Sequence, residues 1–139
     1  MRYLAIDYGA KSTGLAICDP SESIVSPLLV LANEKDLAAK IFEIVRTESV
    51  SAIVFGLPLN MDGTAGQQAK IVQDFADKLR KTVAVPVYFQ DERLSTFAAQ
   101  EKLLPADLTR KKKRKHLDAV AAAEILQAFL DTKPTPRDK

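Results

Sequence analysis

Tyr3-Leu4-Ala5-Ile6-Asp7 and Thr13-Gly14-Leu15-Ala16-Ile17-Cys18, joined by Tyr8-Gly9-Ala10-Lys11-Ser12, form the stretch that decides the fold. Both runs are rich in strand-compatible apolar residues, and the connection between them has the length of a hairpin. The first run ends in a carboxylate. In a strand packed into a core, an aspartate at the mouth is rarely there for packing. Two readings are open on these residues alone. Asp-x-Gly is ordinary turn chemistry, in which Asp hydrogen-bonds its own backbone and Gly accepts positive φ. Alternatively, Asp7 anchors a metal. The remainder of the chain discriminates between them.

Outward from the hairpin, residues 24–31 predict a third strand, entered through Asp19-Pro20-Ser21 and interrupted by Pro27, whose missing N–H suits a sheet edge. Three strands in succession give an antiparallel meander. Periodicity changes at Asn33-Glu34-Lys35-Asp36, where a helix begins and lines up Leu37, Ile41, Ile44 and Val45. Ala52-Ile53-Val54-Phe55 lacks polar alternation and reads as a strand covered on both faces, stopping at Gly56-Leu57-Pro58. A turn-rich loop leads to a second helix over residues 67–81, with Ile71, Phe75 and Leu79 on its apolar stripe. Residues 83–89 predict another strand running into Asp91-Glu92-Arg93. Ser95 or Thr96 can cap a helix over residues 97–103 before the break at Pro105. The last helical segment begins near a basic run and continues over residues 117–130. This order predicts an α/β, ribonuclease-H-like fold, a five-stranded mixed sheet with helices on both faces. We expect one domain over residues 1–132 and a flexible tail over 133–139.

Composition agrees with that size of unit. The 139 residues are 47% hydrophobic and 27% charged, ordinary for one globular domain. Cys18 is the only cysteine, which excludes an intramolecular disulfide framework and any cysteine-based zinc site. It reads as a small buried strand residue. Asp7 interrupts the N-terminal apolar segment before it could act as a signal sequence, and no run approaches the ~20 residues of a membrane span. The expectation is a cytoplasmic protein without a membrane partner.

Carboxylates cluster at three places: Asp7 at the end of the first strand, Asp91 and Glu92 at the end of the last, and Asp118 in the final helix. Hard divalent cations such as Mg2+ take oxygen ligands, and carboxylates from three elements could clamp the oxygens of a phosphodiester. If the fourth strand lies between the first and fifth, the two outer mouths are roughly 10 Å apart, a gap that a long Glu closes better than an Asp. Gly56, ending the intervening strand, would leave room for metal and substrate. Asp118 lies at i−4, i−7 and i−8 from Ala122, Ile125 and Leu126, so it shares their inward face. Ala119, Ala121, Ala122 and Ala123 give that helix little bulk.

Net charge is only +2, yet Arg110-Lys111-Lys112-Lys113-Arg114-Lys115 places six cations in succession just before Asp118. Such a run suits phosphate contacts that position a backbone without reading sequence. His116, the only histidine, reads as a surface or helix-start residue. Lys11-Ser12 is not a phosphate-binding P-loop, because Ala5 and Ala10 stand where that motif needs glycines.

Four motifs in order carry a family resemblance: Ile6-Asp7-Tyr8-Gly9 with Thr13-Gly14-Leu15-Ala16; Gly56-Leu57-Pro58 with Asn60-Met61-Asp62-Gly63; Asp91-Glu92-Arg93-Leu94-Ser95-Thr96; and His116-Leu117-Asp118-Ala119-Val120-Ala121-Ala122. Spanning residues 2–130, they resemble the YqgF/RuvX family, whose members carry the names Holliday junction resolvase and precursor 16S rRNA nuclease. The resemblance implies a ribonuclease-H-like fold and an acidic catalytic centre of Asp7, Glu92 and Asp118. It also implies that the segments bearing Asn60, Asp62, Arg93, Ser95 and Thr96 flank that centre and contact substrate, while the expected substrate contacts of Arg110, Lys111, Lys112, Lys113, Arg114 and Lys115 rest on their charge.

The functional expectation is a nuclease using Mg2+ or Mn2+ to hydrolyse phosphodiester bonds, foremost in 5′-end processing of the 16S rRNA precursor. Its partner is nucleic acid, free or in pre-ribosomal particles. One alternative is resolution of branched DNA, where symmetric cutting suits a homodimer rather than a monomer. Another is a non-catalytic RNA-binding factor in ribosome biogenesis. A nucleotide phosphotransferase is disfavoured, since such proteins resemble two of these domains around a nucleotide and this chain has length for one.

Overall fold

The computed structural model describes residues 1–59, 62–92 and 110–132, with side chains from residue 119 onward in the last span. The antiparallel meander is β1 (Tyr3–Tyr8), β2 (Ser12–Cys18) and β3 (Val25–Ala32). Then follow α1 (Leu37–Thr47), β4 (Ala52–Leu57), α2 (Gln67–Arg80), β5 (Val87–Asp91) and α3 (Arg110–Thr132). The strands lie in the order β3-β2-β1-β4-β5, with β4 parallel to both β1 and β5. This is the five-stranded mixed sheet expected, with β4 between the two acid-bearing strands. Among the described residues no helix is long and apolar enough to cross a membrane.

Alternation along each strand builds two cores of different grain. On one face, Leu4, Ile6, Leu15, Ile53 and Phe55 pack with Leu37 and Ile41 of α1 and Val72, Ala76 and Leu79 of α2. On the other, Tyr3, Ala5, Ala16, Cys18, Ala52 and Val54 pack with Ala122, Ile125 and Leu126 of α3. The alanines on both sides of this second layer let α3 lie close to the sheet. Pro27 sits on β3, an edge strand as expected. There Leu15 pairs with Leu29 and Ala16 with Pro27, leaving Leu28 as the extra residue of a bulge.

The structure corrects two expectations. Residues 83–86 are not part of β5, which starts at Val87 and extends to Asp91. Pro86 cannot donate to the ladder. Its carbonyl instead accepts from the Ile53 N–H at 2.9 Å, while Val83 is buried just beyond α2. The stripe of α2 is also different: Ala69, Val72, Ala76 and Leu79 are buried, and Ile71 is 41% exposed. Leu79 is buried as expected and Phe75 is half-buried against the core, stacked on Tyr8 with ring centroids 4.4 Å apart, so only Ile71 leaves the expected stripe. The helix expected over residues 97–103 and the tail over 133–139 lie outside the described residues.

Candidate active site

Strand parity determines which acids share a face. Tyr3 and Ala5 belong to the α3-covered layer, so Asp7 does too. On β4 the same alternation carries Ala52, Val54 and then Gly56. On β5, Tyr88 lies against Phe129 of α3 with ring centroids 5.5 Å apart, which assigns Gln90 and Glu92 to that side. Asp91 alternates to the opposite face with Phe89. Glu92, not Asp91, therefore shares the side of Asp7.

Register then brings these positions into a row. Asp7 pairs with Gly14 across the β1–β2 ladder, and Gly56 pairs with Gln90 across β4–β5. The parallel register that ends at Ile6↔Phe55 continues to place Gly56 beside Asp7. The carboxylate of Asp7 thus rises between two residues that have no side chain. Glu92, tied to β4 by its N–H donating to the Leu57 carbonyl at 3.1 Å, folds its side chain back over Gly56. A Cβ at Gly56 would stand 2.5 Å from Glu92 Oε2 and collide with Ile125 Cδ1. A side chain at the position next to Asp7 would have to displace the Glu92 carboxylate and the tip of Ile125.

Electrostatics mark the same spot. The Glu92 carboxyl is pushed up to about 8, first by burial, then by the charges of Asp7, Asp91 and Glu124. Desolvation and neighbouring negative charge act in one direction, and a cation at this position would relieve both. Glu124 was not singled out from the sequence. Half-buried on α3, it is the one charged residue between Ala119 and Leu126, and that interruption of a small apolar run is the signal that could have identified it.

Other expected site residues are distributed as follows. Asp118 lies on α3 seven residues before Ile125, two helical turns away along the same stripe at ~100° per residue. Its side chain falls outside the described ones, as do those of Arg110, Lys111, Lys112, Lys113, Arg114, Lys115 and His116. The helix itself starts at Arg110, so the basic run forms its opening turns. Asn60, Arg93, Ser95 and Thr96 also lie outside the described residues. Asp62 is exposed, and its Oδ1 accepts from the Thr64 N–H at 3.0 Å and the Thr64 hydroxyl at 2.7 Å. Among the described residues no group of three or more His, Cys, Asp or Glu side chains is arranged to hold a metal. Asp7 and Glu92, two of the three residues expected as ligands, lie on one face of the sheet.

Cys18 is buried as expected. Its Sγ accepts from the Tyr3 N–H at 3.3 Å, and burial pushes the thiol up, away from reactivity. A groove of about 770 Å³ runs beside α2 and β5, lined by Lys70, Arg80, Asp74, Asp77 and Phe89 among others. Phe89 belongs to the face opposite Glu92, and the cations and anions there offset one another.

The profile of the family described as "RuvX: Holliday junction resolvase" matches residues 1–132. The chain belongs to the RuvX family. A Moorella thermoacetica protein named "Putative pre-16S rRNA nuclease" is 44% identical over 134 residues, covering 94% of this chain and 95% of its own. A Roseiflexus sp. protein of the same name is 41% identical over 133 residues, covering 94% of each. Among solved structures, Thermus thermophilus RuvC in complex with a Holliday junction substrate superposes with a TM-score of 0.57 at 16% identity, covering 94% of this chain and 95% of that one. That likeness shows the shared ribonuclease-H-like fold. The RuvX assignment accords with the row at Asp7, because the matched span contains β1, β4, β5 and α3 together.

Proposed function

We propose that this RuvX protein is a divalent-metal-dependent nuclease that hydrolyses phosphodiester bonds in 5′-end maturation of the 16S rRNA precursor, in the cytoplasm. The observation that carries the reading is the convergence of Asp7 and Glu92 on one face, with Gly56 leaving the space between them. The names of relatives more than 40% identical over nearly the whole chain supply the substrate.

The residues fit a hard cation. Oxygen donors dominate, and burial among acids makes an ionised Glu92 costly without a positive charge. Asp7, Glu92 and Asp118 would hold Mg2+ or Mn2+. When bound, such an ion supplies charge stabilisation at phosphorus and activates water at neutral pH. The protein's own parts do the rest. Gly14 and Gly56 put no side chain on either side of Asp7, and the space over Gly56, expected from the sequence to take metal and substrate, is filled by Glu92 and Ile125. To hold the ion Glu92 would have to release its proton to solvent, and the bond of its N–H to the Leu57 carbonyl fixes the place of its backbone. The cations from Arg110 to Lys115 bind flanking phosphates, and Asn60, Asp62, Arg93, Ser95 and Thr96 contact substrate around the centre.

The test compares wild type with Asp7→Asn on a 5′-extended 16S rRNA precursor and on a four-way DNA junction, with Mg2+, Mn2+ or chelator. Metal-dependent cleavage of the RNA by wild type alone is the expected result. Wild-type rates from Asp7→Asn would refute the mechanism. The family description favours branched DNA as the second substrate, and junction cleavage without RNA cleavage would select it. Salt-sensitive binding with no cleavage of either would make the protein a binding factor.

A further inference from the structure

The hairpin that carries Asp7 is braced from behind. Asn33, just past β3, uses both ends of its carboxamide. Its Nδ2 donates to the Gly9 carbonyl at 2.7 Å, and its Oδ1 accepts from the Thr13 hydroxyl at 2.6 Å. Its backbone N–H donates to the Lys11 carbonyl at 3.0 Å. The Gly9 carbonyl can only accept, so it fixes which way the amide points, and the oxygen then faces Thr13.

Thr13 has 0% exposure, the only buried polar side chain among the described residues. It alternates with Gly14 along β2, so it points to the face opposite Asp7. The hairpin is tight in itself: the Gly9 N–H donates to the Ser12 carbonyl at 3.0 Å, and a Cβ at Gly9 would stand 2.6 Å from that oxygen. Three bonds to one asparagine therefore pin the loop that begins two residues after Asp7. The connected positions lie in three successive strands or their ends, so the brace joins a turn to the sheet.

A hairpin of this kind holds its own register without an outside residue. The brace adds resistance to rocking of the β1–β2 turn, which would swing the end of β1 and the carboxylate on it. Groups bonded directly to a ligand typically account for ~10–100-fold in metal affinity or activity, and Asn33, which reaches Asp7 through the Gly9 backbone, belongs at the lower end of that range.

We propose that Asn33, with Thr13, is a positioning residue that sets the Asp7 carboxylate for its cation. This rests on the reading of Asp7 as a metal ligand, and the experiment separates the two. Full-length wild type, Asn33→Ala, Asn33→Asp, Thr13→Val, Thr13→Ser and Asp7→Asn are titrated with Mn2+ alone by calorimetry, and kcat and KM are measured on the RNA precursor. Asn33→Ala should weaken Mn2+ binding roughly tenfold and lower kcat with KM unchanged. Asn33→Asp should do the same, since a carboxylate cannot donate to the Gly9 carbonyl. Thr13→Val should follow in part, and Thr13→Ser, keeping the hydroxyl, should restore binding.

Thr82→Ala is the stability control. It removes the bond from the Thr82 hydroxyl to the Leu79 carbonyl at 2.9 Å, remote from the hairpin, and should lower the melting temperature without touching Mn2+ affinity. If Thr82→Ala weakens Mn2+ binding as much as Asn33→Ala, the effect is general destabilisation and the brace is refuted. If Asp7→Asn loses Mn2+ while Asn33→Ala and Thr13→Val bind it like wild type, the brace is refuted and the metal reading stands. If Asp7→Asn also binds like wild type, both fall.

Discussion

The two faces of the sheet are built to different ends. Against α1 and α2 lie Leu4, Ile6, Ile53 and Phe55, large and fully buried. Against α3 the layer is mostly alanine and valine, and it opens at one end onto Asp7, Gly56 and Glu92. Bulk on one face holds the fold, so the other can be thin enough for a helix to bring its own side chains down to a row of carboxylates.

The sharpest test exchanges the roles. Phe55→Ala on the thick face should cost about 3–5 kcal/mol of stability by leaving a cavity, while cleavage per folded molecule stays at the wild-type rate. Asp7→Asn on the thin face should do the reverse. It should lower cleavage roughly 10³-fold, about 4 kcal/mol of transition-state stabilisation, and hold or raise the melting temperature by removing a charge that opposes ionised Glu92. Equilibrium unfolding and initial rates on the same samples check both. If Phe55→Ala altered the metal requirement, the division between the faces would be wrong.

Gly56→Ala comes next, because it joins the two roles at one position. The new methyl meets the Glu92 carboxylate and Ile125, so overpacking of about 1–3 kcal/mol should accompany the loss of cleavage. Urea unfolding beside a rate assay reads both. A Gly56→Ala protein with wild-type rate would mean that Glu92 can leave its place at no cost.

A third effect depends on pH. The carboxyl of Glu92 moves from an ordinary 4.5 to about 8. Between those values the folded protein holds a proton that the unfolded chain has released, so metal-free stability falls as pH rises through this window and levels off above it. Glu92→Gln should flatten that slope in thermal melts. With Mg2+ present the dependence should turn, since a cation binds the ionised form and stabilises more as the proton leaves. The smallest effect belongs to Ile71→Ser. That side chain is 41% exposed, so its loss should change stability by no more than about 0.5 kcal/mol, whereas Val72→Ala, buried on the same helix, should cost more.

Much of this was legible in the chain. The hairpin around Asp7, the doubly covered run at Ala52, and the sequence of strands and helices follow from apolar patterning, whereas the place of β4 between β1 and β5 was only a condition until the sheet order was seen. Glu92 was expected from its reach and from the family motif, but the side on which Asp91 lies needed the structure. Pro86 moves the start of β5 to Val87, and only the contact of Tyr88 with Phe129 shows which parity faces α3. Gly14 beside Asp7 and Glu124 beside Glu92 were hidden for a related reason. Each is a neighbour through register or helix packing, and neither relation is written in local spacing. The Asn33 brace joins residues 24 apart, beyond the reach of any periodicity.

The start of α3 carries a further consequence. Its first two turns hold six cations, with no acidic residue in the first turn, and they stand at the positive end of the helix dipole, where each like charge is unfavourable by ~0.3–1 kcal/mol at low ionic strength. Added salt therefore acts twice and in opposite senses. It quiets the self-repulsion of the free helix, and it weakens the hold of those cations on a phosphate backbone. In the proposed binding mode, a polyanion lying along these turns would do the first without the second, serving as the counterion of the helix start.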